Sequence, residues 1–253
     1  MMYKFGRLAI ACTLAATCLA DAFAGSESTS TPRHLELARE LLQTVKPENN
    51  NYEVSGPGRG VRWKGDLFTS ENAVNASCVG FVTAVLDRAG SKTPKIVATK
   101  TTWKHELRVN NYIESVEKGF GLQKIPRVND AQPGDLFLFG CKDMCANSKS
   151  NDIQGHITFI DEKPVQKDPT PPLIPETLQW SVTVIDSADA PHGIKDTRWK
   201  PQGIPKVTGV GRGTYRVYTD MNGIPIGYTN GPNHPKLHEI SVRPIVIGRT
   251  FSD

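Results

Sequence analysis

Thiol hydrolysis needs a cysteine that ionises easily, a base within hydrogen-bond reach and a polar group to orient that base. The chain offers a candidate for each. The stretch Asn75–Gly90, NASCVGFVTAVLDRAG, repeats apolar residues at Val79, Phe81, Val82, Val85, Leu86 and Ala89, which predicts a short helix. Asn75 or Ser77 can cap its start, and Gly90 suits the position just past its end. Cys78 then falls in the first turn, where unpaired backbone N–H groups and the helix dipole favour a thiolate, the reactive form. Taken alone, Cys78 is equally a small core residue, since free cysteine is among the most buried side chains. His156 opens an alternating stretch, HITFI, directly after Gly155, and Asp186 closes another, VTVID. Neighbouring antiparallel strands bring one strand's start beside the other's end, so the carboxylate can hold one imidazole nitrogen while the other faces Cys78. Singly, each has an ordinary reading, His156 as a locally satisfied strand-end residue and Asp186 as a turn starter. His34, His234 and His238 are expected to face solvent, whereas His105 or His192 could line a cleft.

The cysteine count bears on the same question. Of five cysteines, Cys12 and Cys18 lie in the first 24 residues, which leaves Cys78, Cys141 and Cys145. Cys141 and Cys145 sit in the polar run GCKDMCANSKS and read as a small disulfide; a metal pair is the rival, and one Cys-x3-Cys without further ligands is weak evidence for zinc. Cys78 is then the unpaired thiol, and in an oxidising compartment it needs either burial or a function.

That compartment is indicated by the amino terminus. Lys4 and Arg7 precede an apolar run, Leu8–Ala20, and Ala22-Phe23-Ala24 fits cleavage after Ala24. Residues 1–24 therefore read as a signal peptide, too short for a comfortable membrane span, and the expected location is secreted or periplasmic. The chain carries 30 basic and 26 acidic residues; without Lys4, Arg7 and Asp21 the balance is 28 to 25, a net charge of +3. This mild basicity suits an anionic surface such as a cell wall, and with no clustered Lys/Arg stripe it argues against nucleic acid.

The elements that must position the three groups fall in a simple order. Thr31 as cap, Pro32 at the first helical position and a stripe of Leu35, Ala38, Leu41, Leu42 and Val45 predict a first helix. The Cys78 helix follows a glycine-rich polar loop, and a further helix is expected over about 101–118. After Pro126 the period shifts to strands, over 135–139, 156–160, 181–185, 213–219, 224–228 and 240–247. Helices first and an antiparallel sheet after them define an α+β class. Residues 25–253 are expected to form a single domain, with an exposed Pro-rich excursion near 163–178 and a β-rich C-terminal extension near 207–253.

Five short motifs in this order resemble the NlpC-type cell-wall cysteine peptidases, a papain-like group. They are Arg62-Trp63-Lys64-Gly65, Ser77-Cys78-Val79-Gly80-Phe81-Val82, Pro133-Gly134-Asp135-Leu136, Gly155-His156-Ile157 and Ile185-Asp186-Ser187, and they cover roughly residues 31–190. The resemblance implies a papain-like α+β fold with Cys78 as nucleophile, His156 as base and later acid, and Asp186 as orienting group. It also implies that the Cys78 backbone N–H helps hold an oxyanion, and that Trp63, Ser77 and Tyr52 border the substrate. The implied activity is cleavage of peptidoglycan stem-peptide amides by an exported monomer without cofactor or metal. Three positions depart from the family: Ser77 replaces an Asp, Val79 a Ser, and Val61 a Tyr, for which Tyr52 can substitute from nearby. Because those polar groups recognise the free amino end of the stem peptide in the family, two alternatives stay open. One is the same cysteine chemistry on a different acyl substrate; the other is a non-catalytic wall-binding module on the same scaffold.

Overall fold

The computed structural model describes residues 30–55, 58–94, 107–140 and 155–251. The leader, the Cys141 and Cys145 pair and His105 lie outside these residues. Among the described residues there are three α-helices, α1 (Arg33–Thr44), α2 (Cys78–Arg88) and α3 (Val109–Lys118), and two short 3-10 turns, Pro47–Asn49 and Val128–Asp130. The strands are β1 (Asn50–Asn51), β2 (Gly60–Arg62), β3 (Ala73–Asn75), β4 (Leu122–Lys124), β5 (Leu136–Phe139), β6 (His156–Ile160), β7 (Val165–Lys167), β8 (Leu178–Ala188), β9 (Gly209–Thr219), β10 (Pro225–Thr229), β11 (His238–Glu239) and β12 (Ile245–Thr250). The result is mixed α+β, with few helices and a large antiparallel sheet ordered β11-β10-β9-β8-β6-β5-β12-β4, to which β7 adds by pairing with β8. No helix among the described residues is long and apolar enough to cross a membrane.

Both faces of this sheet are covered, which explains the unbroken apolar run of β5. Leu136 and Leu138 join the helix-side core with Leu41, Phe81, Val85 and Tyr112. Phe137 and Phe139, pointing the other way, join Val184, Tyr215 and Tyr228. Each such side chain, fully buried, contributes about 1.5–3 kcal/mol. Residues near 207–253 are β-rich as expected, but they are not appended. β9 pairs with β8 along its whole length, and β12 inserts between β5 and β4. The strand expected over 240–247 starts only at Ile245, because Val242 and Arg243 turn back onto the Glu239 carbonyl.

Three local expectations are corrected. Thr31 does not cap α1; Pro32 is itself the N-cap, with no side-chain cap, and its carbonyl accepts the Leu35 and Glu36 amides. α3 begins at Val109, so the start of the segment expected from about residue 101 lies outside the described residues. His34 does not face solvent: it is 3% exposed, its Nε2 donates to the Gly134 carbonyl at 2.8 Å, and its ring stacks on Phe159. The helix needs a wider buried face than the apolar stripe supplied, and this histidine fills it with its polar atom satisfied.

Candidate active site

Cys78 stands at the first position of α2, as its spacing predicts. Ser77 is the N-cap, and its side chain accepts the Gly80 amide at 3.2 Å. At the other end Gly90 (φ +73°) lets the chain reverse, with the Gly90 amide on Asp87 and the Ser91 amide on Leu86. The stretch leading into the helix is pinned to the sheet, since Ser187 Oγ donates to the Ala76 carbonyl at 2.6 Å. The helix start therefore abuts the end of β8.

The strand register brings the two sheet residues together. Phe159 faces Ile185 and Ile160 faces Val184. Continued along β6, this register sets His156 opposite Ala188, one diagonal step from Asp186 on the same face. His156 Nε2 donates to Asp186 Oδ2 at 2.5 Å. Its other nitrogen, Nδ1, is left to face Cys78, with which the ring is hydrogen-bonded. Cys78 is a free cysteine and is buried, with 5% of the residue exposed.

The electrostatics favour charge on both groups. Burial alone pushes the Cys78 thiol up, but the charge of His156, its hydrogen bond and the Ile157 backbone N–H bring the net value below the ordinary 9.0. Burial would lower His156, yet the Cys78 charge and the Asp186 hydrogen bond raise it to about 10. Each group thus favours the charged form of the other. Asp186 is fully buried; Arg198 and then His192 outweigh that burial and hold its carboxyl well below the usual range.

Behind Asp186 lies a layer that the sequence did not announce. His192 Nε2 also donates to Asp186 Oδ2, at 2.7 Å, and stands 3.0 Å from the Tyr215 hydroxyl. Arg198 Nη2 sits 2.8 Å from Asp186 Oδ1 as an ion pair, while Arg198 clasps Asp196 through Nε (2.9 Å) and Nη2 (2.7 Å). The clue is the run Gly209-Val-Gly-Arg-Gly213 on β9, whose alternate glycines open one face of the strand. A Cβ at Gly211 would run into Arg198, and one at Gly213 into Asp196 and His192.

Of the substrate-side residues, Tyr52 lies beside Cys78, and burial, then the Cys78 charge, push its hydroxyl pKa up, so it stays protonated. Trp63 is packed into the helix-side core with the Arg88 guanidinium 5.5 Å over its ring. Ser77 and Val79 line a cavity of about 440 Å³ that runs along α2 past Gly80, Thr83 and Asp87 and is bordered by Arg59.

His156, Asp186 and His192 could also be read as metal ligands, their donor atoms lying within 4.8 Å of one another. Two ligands of a tetrahedral zinc, each bonded at 2.0–2.1 Å, stand about 3.3 Å apart. The 2.5 and 2.7 Å contacts onto one oxygen are hydrogen-bond lengths instead, and Arg198 places a positive charge on the other oxygen. As arranged, the group is a proton-bearing network and not a cation cage.

Comparison with known proteins gives little further guidance. No known family profile matches the chain, and no solved structure matches it. It is similar to an uncharacterized protein, R653, of Acanthamoeba polyphaga mimivirus, with 27% identity over 224 residues, covering 86% of this chain and 96% of that one.

Proposed function

We propose that the protein is an exported cysteine hydrolase that cleaves amide bonds in peptidoglycan stem peptides on an NlpC-type, papain-like scaffold. The observation that carries this reading is the hydrogen-bonded chain from Cys78 through His156 to Asp186, with the sulfur at a helix start and the carboxylate held ionised. In the reaction the Cys78 thiolate adds to the substrate carbonyl, and the oxyanion faces the helix's first N–H groups. His156 Nδ1 then gives its proton to the leaving amine, and the C–N bond breaks to leave a thioester. A water, losing its proton to His156, hydrolyses that thioester and returns the thiolate. Asp186 stays ionised throughout and keeps the ring oriented.

A second reading, the same chemistry on a different acyl substrate, draws on one feature of the cavity. Ser77 spends its hydroxyl on capping α2, and Val79 is apolar, so the carboxylate that a free amino end would seek is offered only further along the cavity, at Asp87. Mass analysis of purified peptidoglycan incubated with the wild-type and Cys78→Ala proteins tests both. New stem-peptide fragments with the wild type alone are the expected result. Fragments from both proteins would falsify the nucleophile assignment, whereas no fragments but turnover of a simple ester or amide by the wild type alone selects the second reading.

A further inference from the structure

Segment 190–199 has two faces. Its buried residues His192, Asp196 and Arg198 build the layer behind Asp186, while Ile194, Lys195 and Trp199 stay exposed and point away from it. Those exposed residues line one wall of a second cavity, of about 560 Å³, a size suited to a small ligand. The opposite wall is the 230–235 loop, with Asn230, Asn233 and His234.

Both walls are fixed in place. Gly231 lies against the Gly193 backbone so closely that a Cβ there would stand 3.2 Å from Gly193 Cα. Thr229 Oγ1 donates to the Gly231 carbonyl at 2.7 Å, and Arg216 Nη2 donates to the His234 carbonyl at 3.1 Å. The Lys236 amide donates to His234 Nδ1 at 3.2 Å, so in its neutral form the ring carries its proton on Nε2.

The chemistry of the lining is selective. Trp199, 40% exposed, offers an indole face, and Ile194 extends the apolar wall. Two side-chain amides supply donors and acceptors, and Lys195 supplies a cation with no ion-pair partner among the described residues. Among the described residues, no carboxylate lines the cavity. A sugar ring has one C–H face that stacks on an indole and hydroxyl edges that suit amides; an added negative group answers Lys195. We infer that this cavity is a binding site for an anionic saccharide, lined on one side by segment 190–199, whose buried residues also form the layer behind Asp186. Its occupancy does not depend on the chemistry proposed at Cys78.

The test therefore reads binding, not turnover. The wild-type protein is titrated by calorimetry and tryptophan fluorescence with N-acetylmuramic acid, with N-acetylglucosamine and with inorganic phosphate. Trp199→Ala and Lys195→Glu, both surface changes, are titrated in parallel. The expected result is saturable binding of the carboxylate sugar, weakened about tenfold or more by either substitution and by loss of the carboxylate from the probe. The inference is overturned if the carboxylate sugar does not bind, if both variants bind it as the wild type does, or if phosphate alone binds as tightly independently of Trp199.

Discussion

Two buried aspartates at the ends of neighbouring strands show how differently one residue type is used in this molecule. Asp161, just past β6, is held by Arg39 through Nε at 2.7 Å and by Arg212 through Nε at 2.5 Å. Both of those arginines are about a third exposed, and among the described residues no imidazole touches that carboxylate. Asp186 is fully enclosed and shares its charge among one buried arginine and two histidines. An aspartate clamped between arginines joins elements together. One whose oxygen is given to imidazoles keeps a proton carrier charged and aimed, which is an arrangement suited to reactivity.

The comparison breaks most sharply at the carboxylates themselves. Asp186→Asn preserves the side chain's shape but takes the charge away from His156, so turnover is expected to fall about a thousandfold to ten-thousandfold, the scale of a lost orienting aspartate. The Cys78 alkylation profile gives the sign. In the wild type, reaction with iodoacetamide rises through a thiol pKa below 9.0, and the imidazolium persists up to about pH 10. The Asn variant shifts the thiol limb upward, because an uncharged ring no longer stabilises the thiolate. Asp161→Asn, by contrast, is expected to leave the alkylation profile unmoved and to cost about 1–3 kcal/mol of stability from the loss of a buried carboxylate's charged hydrogen bonds to Arg39 and Arg212, read by urea unfolding. Equal effects at both aspartates would erase the distinction.

The arginines provide the next test. Arg198 is almost wholly enclosed, and its loss leaves Asp186 and Asp196 as buried anions. Arg198→Met is expected to lower stability by about 3–5 kcal/mol, the range for breaking a buried ion pair by removing one partner.

How much of this was open to sequence reading follows from the same residues. Helix α2, its Ser77 cap and the span of β6 were legible because period, cap and strand boundaries all act locally. Cys78 and His156 could be named as candidates because each opens an element, whereas Asp186, expected to close its strand, stands two residues inside β8. The shell behind Asp186 was not legible. Arg198 and Asp196 lie in a loop whose composition looks solvated, and only the β9 pairing turns Gly211 and Gly213 toward them. His34 was misplaced for the opposite reason: a helix face is widened by tertiary packing, which no stripe of apolar residues records. Strands of two or three residues such as β1, β3 and β11 left no periodic trace.

His192 separates positioning from mere filling. His192→Phe removes one of the two donors on Asp186 Oδ2 while keeping a planar ring beside Tyr215. A fall in kcat of about tenfold to a hundredfold, with KM little changed, is expected for a group acting through the carboxylate. His192→Gln, which restores an N–H donor, should recover part of it. A loss of stability with unaltered kinetics would assign His192 to packing alone.

The smallest effect should come from Arg39, and its smallness is what the comparison requires. Its side chain is 37% exposed, so water and salt screen its attraction to Asp161, and Arg212 remains to answer that charge. Arg39→Met keeps much of the aliphatic stem that packs along α1. The expected loss is therefore about 0–1 kcal/mol in urea unfolding, shrinking further as sodium chloride is raised, with the Cys78 alkylation rate unchanged. A loss comparable to that of Arg198→Met would mean that Asp161 is as dependent on its charges as Asp186. The contrast between a fastening carboxylate and a tuned one would then fail at its weaker end.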